Sequence, residues 1–271
     1  MTSHGILGRI VARTREGLIA RKQQLPLDRV LAGAPTPVGR RSFLEAVSRP
    51  GHVNVVAEFK RRSPSGGLMR DELHPVGIAQ AYEVAGAAAL SILTEEQFFG
   101  GSLDDLQEAR AATLLPTLRK DFIVDEYQVW EARMAGADAI LLIVAALSDG
   151  EVRTLHEAAE EAGMAVLVEV HDRVELERAL AVGGTLLGVN NRNLRTLEVS
   201  LDTALKLAPD IPDNVTTVAE SGIRTGADIR RLRDAGYDAF LVGEHLMKSQ
   251  DPGVALERLL EDAALDPGEE G

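Results

Sequence analysis

The chain contains no cysteine among its 271 residues. This absence excludes a disulfide scaffold, a thiol nucleophile and any metal site with cysteine ligands. A chain of this length, with 45% hydrophobic residues, can form a sizeable core without disulfides or a structural metal. The composition therefore fits a globular protein of a reducing compartment.

Basic residues are scarce relative to acidic ones. The chain has 29 lysines and arginines against 42 aspartates and glutamates, and its formal net charge is −13. Nucleic acids and anionic membranes both require a basic surface, so we expect neither as a partner. An anionic small molecule can still bind where lysine, arginine and backbone N–H groups cluster locally.

Long apolar runs and several functional motifs are also missing. No stretch approaches about 18 uncharged apolar residues, and the N-terminus lacks the apolar core of a signal peptide, so we expect a cytoplasmic protein. The six histidines show neither HxH nor HxxxH spacing, which disfavours a zinc site. There is no DxDxG calcium loop and no GxSxG nucleophile elbow.

Short apolar runs of strand-forming residues recur along the chain. They are continuously apolar rather than alternating, which is typical of strands buried on both faces. Between them lie amphipathic stretches that end in glycine, the favoured residue just past a helix C-terminus. This alternation predicts a parallel sheet with helical crossovers. The eight predicted strands cover residues 53–59, 88–94, 114–122, 138–144, 165–170, 185–190, 215–221 and 238–244.

An internal repeat indicates that these strands close into a ring. In each copy, a small residue and a glycine precede an apolar strand. The glycines are 50, 47 and 53 residues apart, so each period holds two strand–helix units and four periods form a (β/α)8 TIM barrel. An open doubly wound sheet is the alternative, although such sheets rarely show so regular a period. The glycines of the repeat are Gly86, Gly136, Gly183 and Gly236.

The chain reads as a single domain in three parts. Residues 1–50 precede the first strand and form a helical extension, with predicted helices over residues 10–24 and 40–51. Residues 51–262 form the barrel. The tail, residues 263–271, is acidic, contains proline and glycine, and is expected to fray.

Charged residues occur where the predicted strands end. In this fold the active site lies at the C-terminal ends of the strands. Glu58 and Lys60 are two residues apart on the first strand and therefore point to the same face. Lys120 and Glu169 end the third and fifth strands, where a Lys–Glu pair can donate and accept protons. An ion-pair layer that merely plugs the barrel is the alternative, but a plug needs fewer charges than these four and Arg192 provide.

The last two strands end in small residues. Ser221 and Gly222 lie at the end of the seventh strand and Gly243 at the end of the eighth, where barrels often hold phosphate through backbone N–H groups. The loop over residues 63–67 can close over the same ligand. These features together predict a phosphate site.

Phe99 and Phe122 follow the second and third strands. Together with Pro64 they can form an apolar wall for an aromatic ring. Ordinary loop packing is the alternative interpretation of these three residues.

The strand ends resemble the successive signature segments of the indole-3-glycerol phosphate synthase family. The matching segments span roughly residues 53–250 in the family's order and read EFKRRSPSGG, LTEEQFFGGS, LRKDFIVDEYQVWEAR, VEVHD, GVNNRNL, AESGI and FLVGEHLM. Glu126 stands where the family usually has proline and Trp130 where it has tyrosine. Both lie on a helix away from the barrel mouth, so neither casts doubt on activity.

The resemblance implies a reaction on 1-(2-carboxyphenylamino)-1-deoxyribulose 5-phosphate. In this reaction the ring carbon that bears the carboxylate attacks the ketone carbon, carbon dioxide leaves, and water follows. The resemblance implies no cofactor and no metal. It implies a phosphorylated small-molecule substrate, and we expect a monomer or a weak homodimer.

The resemblance also implies roles for individual residues. Lys120 is the general acid, and Glu169 is the base that assists dehydration. Lys60 pairs with the substrate carboxylate and takes part in proton transfer. An exchange of parts between Lys60 and Lys120 is the alternative. Glu58 and Glu220 orient the lysines and bind substrate hydroxyls.

The remaining expected site residues bind the two ends of the substrate. Asn190 and Arg192 position the anthranilate part. The phosphate end is lined by Ser63, Ser221, Gly222, Gly243 and Glu244. The ring is walled by Pro64, Phe99, Phe122, Leu141 and Ile143.

Two other functions are alternatives. Phosphoribosylanthranilate isomerase is another phosphate-binding barrel, but sugar isomerisation usually employs an Asp/Cys or Asp/Asp pair. A catalytically dead barrel that serves as a scaffold is the second alternative. The Lys/Glu set disfavours both.

Overall fold

The computed structural model describes residues 5–34, 41–64, 67–68 and 74–264. Within them, eight parallel strands form a closed barrel in which the first strand pairs with both the second and the last. The (β/α)8 barrel is thus confirmed and the open sheet is excluded. The barrel strands are β1 Asn54–Phe59, β2 Ala89–Leu93, β3 Thr117–Lys120, β4 Ala139–Ile143, β5 Ala165–Val170, β6 Leu186–Asn190, β7 Thr216–Glu220 and β8 Ala239–Val242.

Helices surround the barrel and precede it. None in the described part of the chain is both long and apolar enough to span a bilayer. They are α1 Ile6–Gln24, α2 Leu27–Gly33, α3 Phe43–Val47, α4 Pro75–Val84, α5 Glu96–Phe99, α6 Leu103–Ala112, α7 Glu126–Met134, α8 Asp149–Ala162, α9 Arg173–Ala181, α10 Asp202–Leu207, α11 Gly226–Asp234, α12 Glu244–Lys248 and α13 Pro252–Ala264, with 3₁₀ turns at Val144–Ala146 and Ala208–Asp210. A short antiparallel pair, Arg62–Ser63 with Gly67–Leu68, follows β1.

The repeated glycines share one backbone conformation. Each lies between a helix end and the next strand, and their φ angles are 92°, 90°, 87° and 103° in chain order. Glycine adopts this left-handed region without the clash that a Cβ causes. The sequence repeat therefore marks the turn that leads each helix back into the barrel.

The two faces of each strand belong to different cores. On β1, Val55 and Ala57 pack outward against the helices, whereas Val56 packs inside the barrel. This two-residue alternation explains why the strands are apolar throughout. The same alternation directs the side chain of Arg119 outward from β3, although the next residue, Lys120, points into the barrel.

Arg119 is fully buried between β3 and α7. Its guanidinium lies 2.9 Å from carboxylate oxygens of both Asp121 and Glu131. It also donates to the carbonyl of Gln128 at 2.9 Å. A buried charge with these partners ties the helix to the strand and contributes no group to the barrel interior.

The N-terminal extension contacts the barrel at both ends. α1 is joined to α7 and α8 by ion pairs of Arg21 with Glu131 and Arg15 with Glu151, both at 2.8 Å. α3 buries Phe43 and Val47 in the interior core, among residues such as Val56. The sequence predicts α1 and a longer version of α3, but not α2.

The predicted boundaries differ slightly from the observed ones. The sequence predicts that the third strand begins at residue 114, but it begins after Pro116, which has no N–H for strand pairing. The predicted barrel ends at residue 262, but α13 continues to Ala264. The rest of the expected frayed tail, residues 265–271, lies outside the described residues.

Phe43 provides a test of the packing of α3 in the barrel. Its side chain is 1% exposed, so Phe43→Ala should lower the free energy of unfolding by about 3 to 5 kcal/mol through lost burial and a cavity. The matched control is Leu44→Ala on the same helix, at a 38% exposed position, which should cost at most about 1 kcal/mol. Urea unfolding followed by circular dichroism measures both. Equal losses would show that α3 is not packed in the core.

Candidate active site

One cavity opens at the C-terminal ends of the strands, which we call the mouth. The empty volume of this cavity is about 1200 Å³ when the open solvent at its rim is included. Every predicted site residue except Glu220 lines it, so residues distant in sequence converge there. These lining residues are Glu58, Lys60, Ser63, Pro64, Phe99, Lys120, Phe122, Leu141, Ile143, Glu169, Asn190, Arg192, Ser221, Gly222, Gly243 and Glu244.

Lys120 is at the centre of a buried charge cluster. Its ammonium forms an ion pair with Glu220 and lies 3.6 Å from the nearer oxygen of Glu169. A second pair, Lys60 with Glu58 at 2.6 Å, lies at the end of β1. The carboxylates are 1% to 4% exposed. Buried charges require such partners, and here positive and negative groups alternate across the mouth.

Mutual contact perturbs the protonation of this cluster. Burial alone would lower the pKa of Lys120, but the charges of Glu220, Glu169 and Glu58 outweigh it and raise that pKa above its ordinary value. Burial raises the pKa of Glu220 above its ordinary value, in spite of the opposing charge of Lys120. Lys120 is therefore an ammonium at neutral pH, a form that can donate a proton.

Two glycines make room for the carboxylates inside the barrel. A Cβ on Gly188 of β6 would overlap the carboxylate of Glu220. A Cβ on Gly243 would likewise overlap the carboxylate of Glu58. The two positions therefore lack side chains where functional groups from neighbouring strands cross the interior.

The end of the mouth near β7 and β8 suits an anion. Ser221 and Gly222 both adopt positive φ, at 67° and 86°. The side chain of Asn191 fixes this turn by donating to the carbonyl of Ser221 at 3.1 Å. Arg192 lies nearby, 3.2 Å from Glu244. The loop expected to close here is described only at residues 63, 64 and 67, and its residues 65 and 66 lie outside the described part.

The opposite side of the mouth is apolar. The rings of Phe99 and Phe122 lie 6.0 Å apart between centroids at an interplanar angle of 35°. α1 adds Ile6, Leu7 and Ile10 to the apolar lining of the cavity. The sequence predicts a helical extension but does not identify these three residues as part of the mouth, because an apolar stripe alone does not show what it covers.

His171 and Asp121 are also close to the site and were not predicted. Asp121 lines the mouth but is engaged by Thr94, at 2.6 Å, and by Arg119. His171 immediately follows β5, and its Nε2 lies 3.3 Å from Glu169. Residues 169 and 171 are two apart, the spacing that identified Glu58 and Lys60, so the sequence does contain the signal for His171.

No group of three or more histidine, aspartate or glutamate side chains is placed to hold a metal ion, as far as the described ranges extend. The chemistry of the mouth is instead that of ammonium, carboxylate and guanidinium groups. These groups can exchange protons and bind anions.

Comparison with known proteins decides the family. The model of the family described as "Indole-3-glycerol phosphate synthase" matches residues 7–259. The chain belongs to the indole-3-glycerol phosphate synthase family. The expected family, carboxy-lyase class and place in tryptophan biosynthesis are thereby confirmed, and the isomerase family is not the one that matches.

Curated relatives are similar to this chain over nearly their full length. An indole-3-glycerol phosphate synthase from a Polaromonas species is 51% identical over 257 residues, covering 94% of this chain and 97% of the relative. The Acidithiobacillus ferrooxidans protein of the same name is 49% identical, covering 95% and 99%. Both relatives are similar to the barrel and to its N-terminal extension.

Solved structures support the fold alone. The thiamine phosphate pyrophosphorylase of Pyrococcus furiosus has a TM-score of 0.59 and 18% identity, with 80% of this chain and 96% of that chain covered. A mandelate oxidase mutant has a TM-score of 0.60 at 19% identity, with coverages of 88% and 83%. The barrel of this synthase family is thus similar to barrels in proteins of other names.

Gly188 tests how far the charge cluster depends on space inside the barrel. Gly188→Ala should displace Glu220 and misalign Lys120, lowering kcat for indole-3-glycerol phosphate formation by about 10²-fold. The measurement is the growth of indole fluorescence under substrate saturation. Gly77→Ala is the control, because Gly77 lies on α4, where an added Cβ would meet no neighbouring atom within 4 Å. If Gly188→Ala and Gly77→Ala turn over equally fast, Glu220 does not need this space.

Proposed function

We propose that this chain converts 1-(2-carboxyphenylamino)-1-deoxyribulose 5-phosphate to indole-3-glycerol phosphate, carbon dioxide and water by the residues assembled at its mouth. The observation that carries these roles is the convergence of Lys120 with two carboxylates, Glu169 and Glu220, in a cavity that also contains the Lys60–Glu58 pair. One end of that cavity suits an anion and the other an aromatic ring. The substrate has both.

The two ends of the substrate bind on opposite sides of the mouth. The phosphate lies against the turn at Ser221 and Gly222 and against Gly243 and Ser63, and the backbone N–H of Glu244 also contributes. The ring packs among the apolar side chains. These are Pro64, Phe99, Phe122, Leu141 and Ile143.

The carboxylate of the substrate needs a cation beside it. Lys60 lines the cavity just after β1 and pairs with this group. Asn190 and Arg192 lie on the other side and position the anthranilate part. Asn190 accepts a hydrogen bond from the backbone N–H of Arg192 at 3.0 Å, which links the two residues. The ring carbon is thereby held toward the ketone carbon.

Ring closure requires a proton donor at the ketone. As the carboxylate-bearing ring carbon forms its bond to the ketone carbon, the carbonyl oxygen takes a proton from Lys120 and becomes a hydroxyl group. The bond between the ring carbon and the carboxylate then breaks and carbon dioxide leaves. The electron pair of the broken bond returns to the ring. Glu220 and Glu58 stabilise the cluster while Lys120 changes charge.

Dehydration requires a base as well as an acid. Glu169 removes the proton from the carbon beside the hydroxyl-bearing carbon, and the hydroxyl group leaves as water after it is protonated. Lys60 is the second ammonium at the mouth and takes part in this transfer. The double bond that forms completes the indole ring.

The setting of the enzyme belongs to the same proposal. It acts in the cytoplasm as a monomer or a weak homodimer, without nucleic acid or membrane partners. The net charge of −13 and the absence of cysteine support this setting.

The acid role of Lys120 is tested by Lys120→Met. Loss of a general acid should lower kcat by at least about 10²- to 10⁴-fold, as followed by indole fluorescence with the carboxyphenylamino ribulose phosphate. Two carboxylates lose their partner in this variant, so circular dichroism must first show that the protein is folded. Lys206→Met on the exposed face of α10 is the matched control. Full activity of folded Lys120→Met would overturn the assignment.

The phosphate end is tested with inorganic phosphate alone. We expect it to compete with the substrate, so the apparent KM should rise with phosphate concentration while kcat is unchanged. Sodium chloride at equal ionic strength is the control for general screening. Inhibition that matches the chloride series would remove the phosphate site from the proposal.

A further inference from the structure

His171 lies behind Glu169, outside the lining of the cavity. It follows the last residue of β5, and its side chain is 12% exposed. Its Nε2 is 3.3 Å from Oε1 of Glu169, whereas Lys120 approaches Oε2 of the same carboxylate. Two positive groups therefore hold the two oxygens of one carboxylate from opposite sides.

Glu175 fixes the imidazole in this place. Its carboxylate oxygen is 2.9 Å from Nδ1 of His171 and also accepts the backbone N–H of His171 at 2.9 Å. Glu175 is itself held in the first turn of α9, where its backbone N–H donates to the capping residue Asp172 at 2.9 Å. The ring is thus anchored by the helix that follows β5, with its other nitrogen directed at Glu169.

The charges form one continuous series from α9 to the mouth. In order they are Glu175, His171, Glu169, Lys120 and Glu220. The contact of Nε2 with Glu169 is one of charge, because this nitrogen makes no well-aligned hydrogen bond. We propose that His171 is a positioning residue that acts as an imidazolium, keeping Glu169 ionised and turned toward Lys120.

The protonation of His171 supports this role. Burial would lower its pKa, but the contacts with Glu169 and Glu175 outweigh burial and raise it to about 10, so the imidazolium persists at neutral pH. Burial would likewise raise the pKa of Glu169, but His171 and Lys120 lower it below its ordinary value. The charge of Glu169 in turn helps to raise the pKa of Glu220, and Glu58 and Lys60 lie one step further away.

The inference rests on the proposed base role of Glu169 and concerns the pH range in which that role is available. A base must be ionised to accept a proton, and an imidazolium beside it extends ionisation to lower pH. Without this charge the pKa of Glu169 rises, so the acid limb of the kcat profile moves to higher pH. KM should change little, because His171 does not line the cavity.

The test compares pH profiles of kcat and KM for wild type, His171→Asn and Glu175→Gln. An opposite charge lowers a carboxylate pKa by about 1 to 3 units. The acid limb of the kcat profile of His171→Asn should therefore lie at least about one pH unit above that of wild type. Glu175→Gln should shift it in the same direction by less. His52→Asn is the matched control, because His52 is exposed and near the opposite end of the barrel.

A purely structural role predicts a different result. It would lower kcat by one factor at every pH and leave the limb in place, which would overturn the inference. Nitrogen-15 spectra of the wild-type imidazoles give a second readout: the signal that His171→Asn removes should be doubly protonated at pH 8. A neutral imidazole there would equally overturn it.

Glu169→Gln distinguishes a failure of the inference about His171 from a failure of the proposed base role of Glu169. If Glu169→Gln loses turnover and His171→Asn shifts the acid limb, both stand. If Glu169→Gln loses turnover but His171→Asn keeps the wild-type limb, the inference fails and the base role survives. If Glu169→Gln retains full turnover, the base role fails, and the inference fails with it.

Discussion

Strand alternation in a closed ring is the constraint on which the rest of this structure depends. Every second side chain of each strand must enter one shared volume, whatever the distance between strands in the sequence. At the mouth this volume receives Lys120, Glu169 and Glu220, whose side chains are 13%, 3% and 1% exposed. Their charges must therefore compensate one another, so a single ion-pair cluster permits burial and gathers titratable groups at the mouth.

The interior changes character along the barrel axis. At the N-terminal end, Phe43 and Val47 close the ring over side chains such as Val56, and the packing is mainly apolar. At the mouth, charges replace this packing, and Gly188 leaves the space they occupy. Folding free energy from the apolar end offsets the cost of burying charge at the other, since partial desolvation of ions is unfavourable even when they are paired.

Sequence patterns predict the features that depend on local order. Strand runs, the period of the glycines and the strand-end position of Lys120 need only short-range periodicity and the rule for barrel mouths. These patterns do not predict that α1 lines the mouth. Ile10 contacts the cavity only because of where the helix lies in the folded protein. His171 differs from Ile10 in this respect. Its two-residue spacing from Glu169 predicts that the two side chains lie near each other. Histidines are usually singled out for metal-ligand spacing, however, and His171 does not have it.

The attachment of α1 has a consequence for how substrate scope can diverge. Two of its links to the barrel helices, Arg15 with Glu151 and Lys22 with Asp125, are solvent-exposed pairs, which contribute little energy each. The charged groups of the mouth lie at the strand ends, whereas Ile6, Leu7 and Ile10 belong to this helix outside the barrel. Part of the apolar lining of the mouth and its charged groups are thus encoded in separable parts of the gene, and the first can drift while the second is retained.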